Sequence, residues 1–265
     1  MVKKLIKHEF TAFTRTMLPM ELILLGVALL NRIIHLFESH DTSYAIIEWS
    51  SNAAYCISLM VCGVMTVAVA ISRFYKNLFT SEGYLSFTLP VTPAQHIFAK
   101  LLVACTYTVI TMVTVFISIC IISMGDYLVE LFKAAGYLIE ELFAHNTVHR
   151  IFFAIEVLIM CVAVGVSEIL KFYACISLGQ RAKKNRILAA FGIYFGYYFV
   201  CQIFGTVLLI GMTSFEWEGV VKFAVNNPNG IIHIVLLLIV AFYCAMSALY
   251  FAVSRYIMQK RLNLE

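Results

Sequence analysis

The fold follows from residues 73–100, RFYKNLFTSEGYLSFTLPVTPAQHIFAK, a long polar passage that lies between two strongly apolar segments. Arg73 and Lys76 close the preceding apolar segment with positive charge. Thr80 offers a hydroxyl for the start of a helix, and Glu82 supplies a carboxylate that suits a helix N-terminus. The passage is therefore a polar connection between two apolar segments, and those segments must be shielded from water.

The composition shows what buries those segments. The 265-residue chain is 62% hydrophobic and only 13% charged, with a mean hydropathy of +0.90, whereas soluble domains are roughly 45–50% apolar and about 25% charged. The apolar runs are long and continuous, which predicts helices rather than barrel strands. The fold class is therefore all-α, a polytopic membrane protein. The basic residues form short flanks rather than a stripe, so nucleic-acid binding has no support.

Six spans are predicted, each near or above the roughly 20 residues that a bilayer requires. They cover residues 18–37, 52–72, 97–124, 151–178, 187–212 and 231–257, within one transmembrane domain over residues 1–265. Residues 1–16 have an apolar side and a basic side, which predicts an amphipathic helix in the membrane interface. Residues 38–51 are predicted as an external loop, and residues 126–150 as an external helix or helical hairpin.

The positions of the charges predict the orientation. Fourteen of the nineteen basic residues flank or fill the N-terminus, the loop at 73–100, the turn at 181–186 and the C-terminus, and nine of the fifteen acidic residues fall on the opposite side. The positive-inside rule therefore predicts a multi-pass protein of the cell membrane with both termini and the 73–100 loop in the cytoplasm.

A short helix across the membrane surface is predicted over residues 80–89, ended by Pro90 and Pro93. Its apolar side consists of Tyr84, Leu85, Phe87 and Leu89. The alternative is an interfacial loop whose aromatic side chains only anchor at the lipid headgroups.

Three polar residues within the spans are candidates for a substrate path: Glu156, Glu168 and Gln202. Glu168 can meet Lys171 one turn along the helix, whereas Glu156 has no obvious partner in its own helix. Gln202 could hydrogen-bond to another helix. The alternative for Glu156 is a hydrated position near the outer surface.

Other polar residues in the spans are predicted to have structural roles. Glu21, Arg32 and His35 are expected to pair or to reach the interfaces, with a role in transport as the alternative. A face of hydroxyl groups on the third span predicts close helix packing, with a substrate-lining role as the alternative. Its members are Thr108, Thr111, Thr114 and Ser118.

The chain lacks the motifs of an enzyme. It has no phosphate-binding G-x-x-x-x-G-K-[ST] loop, no H-E-x-x-H and no G-x-S-x-G, so we expect no catalytic residues and no nucleotide hydrolysis by this chain alone. The eight cysteines fall within apolar segments, without a C-x-x-C pair or clustered histidines. They are interpreted as small buried hydrophobic residues, and no metal or cofactor site is predicted. The repeated acidic sites of an ion-coupled carrier are also lacking.

The 73–100 loop also resembles a known family, the type-2 ATP-binding-cassette (ABC) transporter permeases common in Gram-positive bacteria. The resemblance is carried by Arg73-Phe74, Asn77-Leu78-Phe79-Thr80, Glu82-Gly83-Tyr84-Leu85 and Phe87-Thr88-Leu89-Pro90-Val91-Thr92. The segments 7–10 (KHEF) and 260–264 (KRLNL) are similar to the ends of those permeases.

The resemblance implies a permease subunit of an ABC transporter that exports a hydrophobic or amphipathic substrate. Its expected partners are separate ATPase subunits, a second permease subunit, identical or paralogous, and membrane lipids. Residues 1–16 would be the elbow helix, and the helix at 80–89 would be the coupling helix that contacts the ATPase. The expected coupling residues are Arg73, Thr80, Glu82, Gly83, Tyr84, Leu85 and Phe87. The alternative is a non-transporting sensor or immunity subunit that recognises a peptide or lipid.

Overall fold

Seven helices form the fold within the part of the chain that the computed structural model describes, which is residues 2–37, 42–80, 83, 91–123, 126–142, 147–182, 185–213, 219 and 227–260. They are α1 (Val2–Leu36), α2 (Thr42–Phe79), α3 (Pro93–Ser123), α4 (Asp126–Leu142), α5 (Thr147–Gly179), α6 (Arg186–Thr213) and α7 (Pro228–Lys260). All except α4 are long and apolar enough to cross a membrane. The all-α class and the six apolar spans are therefore confirmed.

The last four predicted spans match α3, α5, α6 and α7 to within four residues at each end. The helix predicted within residues 126–150 is α4. The four spans are long, continuously apolar runs, so hydropathy alone is enough to locate them.

The external loop predicted over residues 38–51 is wrong from residue 42 onward, because α2 already begins at Thr42. No glycine or proline interrupts residues 42–62, so the helix can extend beyond the apolar core of the span. The added turns contact α1: the Tyr44 hydroxyl donates a 2.9 Å hydrogen bond to the Ile34 carbonyl, and His35 Nδ1 lies 3.5 Å from Glu48 Oε1. The expectation that His35 pairs near the end of its span is therefore confirmed.

The elbow helix expected over residues 1–16 is not confirmed as a separate element. Helix α1 continues without a break through Pro19 into the first span. Proline within a membrane helix is tolerated where neighbouring groups satisfy the freed backbone carbonyl. The amphipathic segment is thus the first half of a single helix.

Helix α3 begins at Pro93, inside the 73–100 loop, with one of the two hydrogen bonds of a capping box. The Thr92 carbonyl accepts hydrogen bonds from the backbone N–H groups of Gln95 and His96, at 2.9 and 3.2 Å. The Gln95 side chain in turn accepts a 3.0 Å bond from the Thr92 N–H. Pro93, the first helical residue, has no N–H to satisfy and a fixed φ that suits this position. These interactions fix where α3 starts.

The chain divides into two compact units, and each is described separately. The first comprises Met1–Lys76 and Phe87–Tyr137, and the second comprises Asn77–Ser86 and Leu138–Glu265. In the first unit α1 packs against α3. Met17, Leu24 and Ala28 of α1 are buried, as are Val103 and Tyr107 of α3.

The hydroxyl face of α3 is confirmed as a packing face of the first unit. Thr111 Oγ1 lies 3.2 Å from Glu21 Oε1 of α1 and 3.2 Å from Thr66 Oγ1 of α2. Ser118 Oγ lies 3.0 Å from the Tyr55 hydroxyl. Three helices therefore share hydrogen bonds along this face, and Glu21 is paired with a hydroxyl group rather than left alone in the apolar span.

In the second unit α5 packs against both α6 and α7. Gly179, the last residue of α5, lies close to Ala190 of α6. A Cβ atom added there would lie 2.7 Å from the Ala190 Cβ and 2.8 Å from the Ala190 backbone N and Cα. Such distances are below van der Waals contact, so a residue without a side chain is needed at this position.

The interpretation of the cysteines is only partly correct. Cys62 and Cys175 are buried, whereas four others are exposed on helix surfaces: Cys56, Cys161, Cys201 and Cys244. The outer surfaces of membrane-length helices are as apolar as their packed faces. Hydropathy therefore cannot separate a buried cysteine from an exposed one.

Candidate functional site

Three charged side chains meet in the first unit to form what we call the ion triad, Glu9 of α1, Arg73 of α2 and Lys100 of α3. Lys100 Nζ lies 2.6 Å from Glu9 Oε1. Arg73 Nη2 and Nε lie 3.2 and 3.3 Å from Glu9 Oε2. Lys100 also donates to the Arg73 carbonyl at 3.4 Å. One carboxylate therefore links three helices.

The ion triad is largely withdrawn from solvent, since the side chains of Glu9 and Lys100 are 6% and 5% exposed and that of Arg73 is 20% exposed. Removing charges from water costs several kcal/mol per ion, and close pairing offsets this cost only when the geometry is good. The cluster is thus a weak contributor to net stability. Its physical effect is to fix the relative position of three helices. Loss of any one of its residues leaves a buried charge with less opposite charge around it, which is costly.

Arg73 was predicted from the sequence as a coupling residue, but its partners Glu9 and Lys100 were not. A signal was present in α1, where the buried residues Glu9, Phe13 and Met17 recur at four-residue spacing. A carboxylate on the buried stripe of a helix requires a cationic partner from another element. Periodicity shows that a partner is needed, but it cannot say which distant cation supplies it.

The other predicted coupling residues lie in or next to the polar loop. Gly83 is buried, and its N–H donates a 2.8 Å hydrogen bond to the Thr80 carbonyl, which forms a turn. Glu82, Tyr84, Leu85 and Phe87 lie outside the described residues, as does the body of the helix predicted at 80–89.

A cavity of about 350 Å³ lies among α5, α6 and α7 in the second unit. Glu168 and Gln202, two of the predicted substrate-path residues, both line it, whereas Glu156 is not among its lining residues. Lys171 Nζ lies 2.5 Å from Glu168 Oε2, so the predicted pairing one turn along the helix is confirmed. The hydroxyls of Tyr197 and Tyr250 lie 2.5 Å apart on the cavity wall.

Glu156 belongs to a separate cluster of hydrogen-bonded side chains that also lies within the second unit. Its Oε2 lies 2.6 Å from His233 Nδ1 of α7, and His233 Nε2 lies 3.2 Å from His149 Nδ1 of α5. The sequence offered no obvious partner for Glu156 in its own helix, and the partner that the structure shows lies on α7; both histidines were missed. Hydrogen bonds among these three half-buried side chains link α5 to α7.

Replacing His233 with alanine is expected to lower the stability of the second unit by about 1–3 kcal/mol, because Glu156 loses its hydrogen-bond partner. Glu156→Gln should cost less, since its amide oxygen can still accept a hydrogen bond. The measurement is the thermal unfolding midpoint of the detergent-solubilised protein by far-UV circular dichroism. His8→Ala, at an exposed position of α1, is the control, and a midpoint for His233→Ala equal to that of the control would contradict the assignment.

The described residues contain no group of three or more histidine, cysteine or acidic side chains arranged to hold a metal ion. Charged side chains of the described residues also cluster at the ion triad beside the polar loop and in the cavity of the second unit. Comparison of the chain with protein-family models, with curated proteins and with solved structures finds no match.

Proposed function

We propose that the chain is the permease subunit of an ABC transporter and exports a hydrophobic or amphipathic substrate. Six helices long enough to span a membrane support a membrane component of this kind. In this proposal, a separate ATPase subunit binds the 73–100 loop on the cytoplasmic side, and two permease subunits enclose the substrate path. This chain supplies the path and the loop, and it does not hydrolyse ATP itself.

The observation that carries the proposal is the position of the ion triad relative to the loop. Arg73 of α2 and Lys100 of α3 are the two end residues of the 73–100 loop, and both contact the same carboxylate of Glu9. A loop that receives force from a partner must be joined stiffly to the spans, because a compliant joint would absorb the motion. The ion triad supplies that stiffness for α1, α2 and α3.

The path of the chain supports the same role. Both ends of the 73–100 loop, residues 73–76 and 87–100, belong to the first unit, whereas Asn77–Ser86 belongs to the second. The backbone therefore passes from one unit to the other within the loop, and a displacement of the loop acts on both units through covalent bonds. Closure of an ATPase pair beneath the loop would then tilt the spans as a rigid-body movement.

The test is reconstitution of the chain with the ATPase subunit that purifies with it. Arg73→Lys keeps the charge but removes the two-nitrogen contact with Glu9, and Glu82→Ala removes the carboxylate expected to face the partner. Both variants should reduce ATP-driven transport several-fold while the protein remains folded. Glu130→Ala, at an exposed position of α4, is the matched control and should leave transport unchanged.

Three results would count against the proposal. If no nucleotide-hydrolysing subunit purifies with the chain, the permease assignment fails. If such a subunit binds but no exported compound is turned over, the chain is instead a sensor or immunity subunit. Equal transport by the Arg73→Lys and Glu130→Ala variants would refute the coupling role of the ion triad.

A further inference from the structure

The cavity of the second unit places ionised and hydroxylated side chains among helices that are otherwise strongly apolar. Charged groups in membrane-length helices are costly and usually mark a site of function. The volume of about 350 Å³ lies within the range of small-molecule sites, which is roughly 300–1,000 Å³. The cavity can therefore hold a ligand of moderate size.

The two charges of the cavity differ in accessibility. The Lys171 side chain is only 9% exposed, whereas the Glu168 side chain is 46% exposed. Lys171 Nζ lies 5.7 and 6.0 Å from the ring centroids of Tyr194 and Tyr197, within the range of cation–π attraction. The ammonium is thus held back against aromatic rings, and the charge presented to an incoming molecule is the carboxylate.

The remaining wall suits the cationic end of an amphipathic molecule. A carboxylate accepts several hydrogen bonds. Within the described residues, Lys171 contacts Glu168 through one carboxylate oxygen, Oε2. Gln202 offers a carbonyl oxygen, and Tyr198 and Tyr243 offer aromatic rings. Phe242 and Met246 provide apolar surface beside these groups. Acceptors, aromatic rings and apolar surface together match an ammonium group attached to an apolar body.

We propose that this cavity binds amphipathic primary amines, with the ammonium group at Glu168 and Gln202 and the apolar part against Phe242 and Met246. This inference names the substrate class of the permease, so as a transport site it rests on the proposed function. Its role as a binding site does not depend on that function, because the purified chain is expected to bind the amine in the absence of an ATPase subunit.

The test is direct binding of dansylcadaverine, a primary amine with an apolar fluorophore, to the purified full chain in a non-ionic detergent. The N-acetylated form of this probe has the same apolar body without the charge. The chain should bind the amine at least about tenfold more tightly than the acetylated form, in line with the strength of a charge-assisted hydrogen bond.

Two variants should change the affinity in opposite directions. Glu168→Gln should weaken amine binding about tenfold or more, because it removes the accessible negative charge. Lys171→Met should tighten binding, because the carboxylate loses its internal cation. Glu130→Gln is the control and should have no effect. Since loss of fold would weaken binding in every variant, tighter binding by Lys171→Met separates the proposal from simple unfolding.

Equal binding of the two probes, or equal affinities of the Glu168→Gln and Glu130→Gln variants, would overturn the inference. Weaker binding by a folded Lys171→Met variant would do the same. Selective amine binding by a chain that shows no ATP-driven transport would leave the cavity assignment intact and refute the permease assignment instead.

Discussion

Replacing Glu9 with alanine is expected to destabilise the first unit by about 3–5 kcal/mol, the typical cost of removing one partner from a buried ion pair. Arg73 and Lys100 would then remain close together with no carboxylate between them. The measurement is the rate at which N-ethylmaleimide labels the buried Cys62, followed by peptide mass spectrometry. If labelling requires opening of the unit, a loss of 3 kcal/mol raises the rate about 100-fold.

The protein contains its own reference for this experiment. Cys175 is buried in the second unit, so its labelling rate should change far less than that of Cys62. Glu141→Ala removes a carboxylate from an exposed position of α4 and should leave both rates unchanged. Joint replacement of the three triad residues by methionine should recover much of the loss, because an apolar cluster leaves no unpaired charge. Cys62 labelling at the wild-type rate in Glu9→Ala would show that Arg73 and Lys100 do not require the Glu9 carboxylate.

Replacing Gly179 with valine is expected to destabilise the junction of α5 and α6 by about 1–3 kcal/mol or more. The new Cβ alone would lie 2.7–2.8 Å from Ala190 atoms, including its backbone, so α6 must move away from α5. The readout is faster labelling of Cys175, which lies one turn before Gly179. Cys62 should keep its rate.

Gly192→Val is the matched control for this substitution, because a Cβ at Gly192 would meet no atom within 4 Å. Both variants place the same β-branched residue in a helix, so any difference between them comes from the contact with Ala190. Similar Cys175 labelling rates in the two variants would contradict the close approach of α5 and α6.

The sequence predicts those features that depend on neighbouring residues. Hydropathy located the spans because each is a continuous apolar run, and three-residue spacing was enough to pair Glu168 with Lys171. The hydroxyl face of α3 was recognised for the same reason, since its residues recur within one helix. Each of these patterns is complete within a single segment.

The features that the sequence could not predict depend on contacts between distant segments. Glu9 meets Arg73 and Lys100 across 64 and 91 residues, and Glu156 meets His233 across 77. Each pairing is set by how the helices pack, which single-helix periodicity does not describe. The early start of α2 was missed because tertiary contacts, such as that of Tyr44 with Ile34, extend a helix beyond its apolar core.

The unbroken course of α1 determines the depth of Glu9. A helix of 35 residues measures about 52 Å, whereas the hydrocarbon layer is roughly 30 Å thick. If the hydrocarbon begins near Leu18, Glu9 lies about 13 Å beyond its boundary, at 1.5 Å for each residue. The carboxylate and its two cations would then be sheltered by surrounding side chains rather than by lipid tails. Bilayers of different thickness should therefore leave this cluster unaltered.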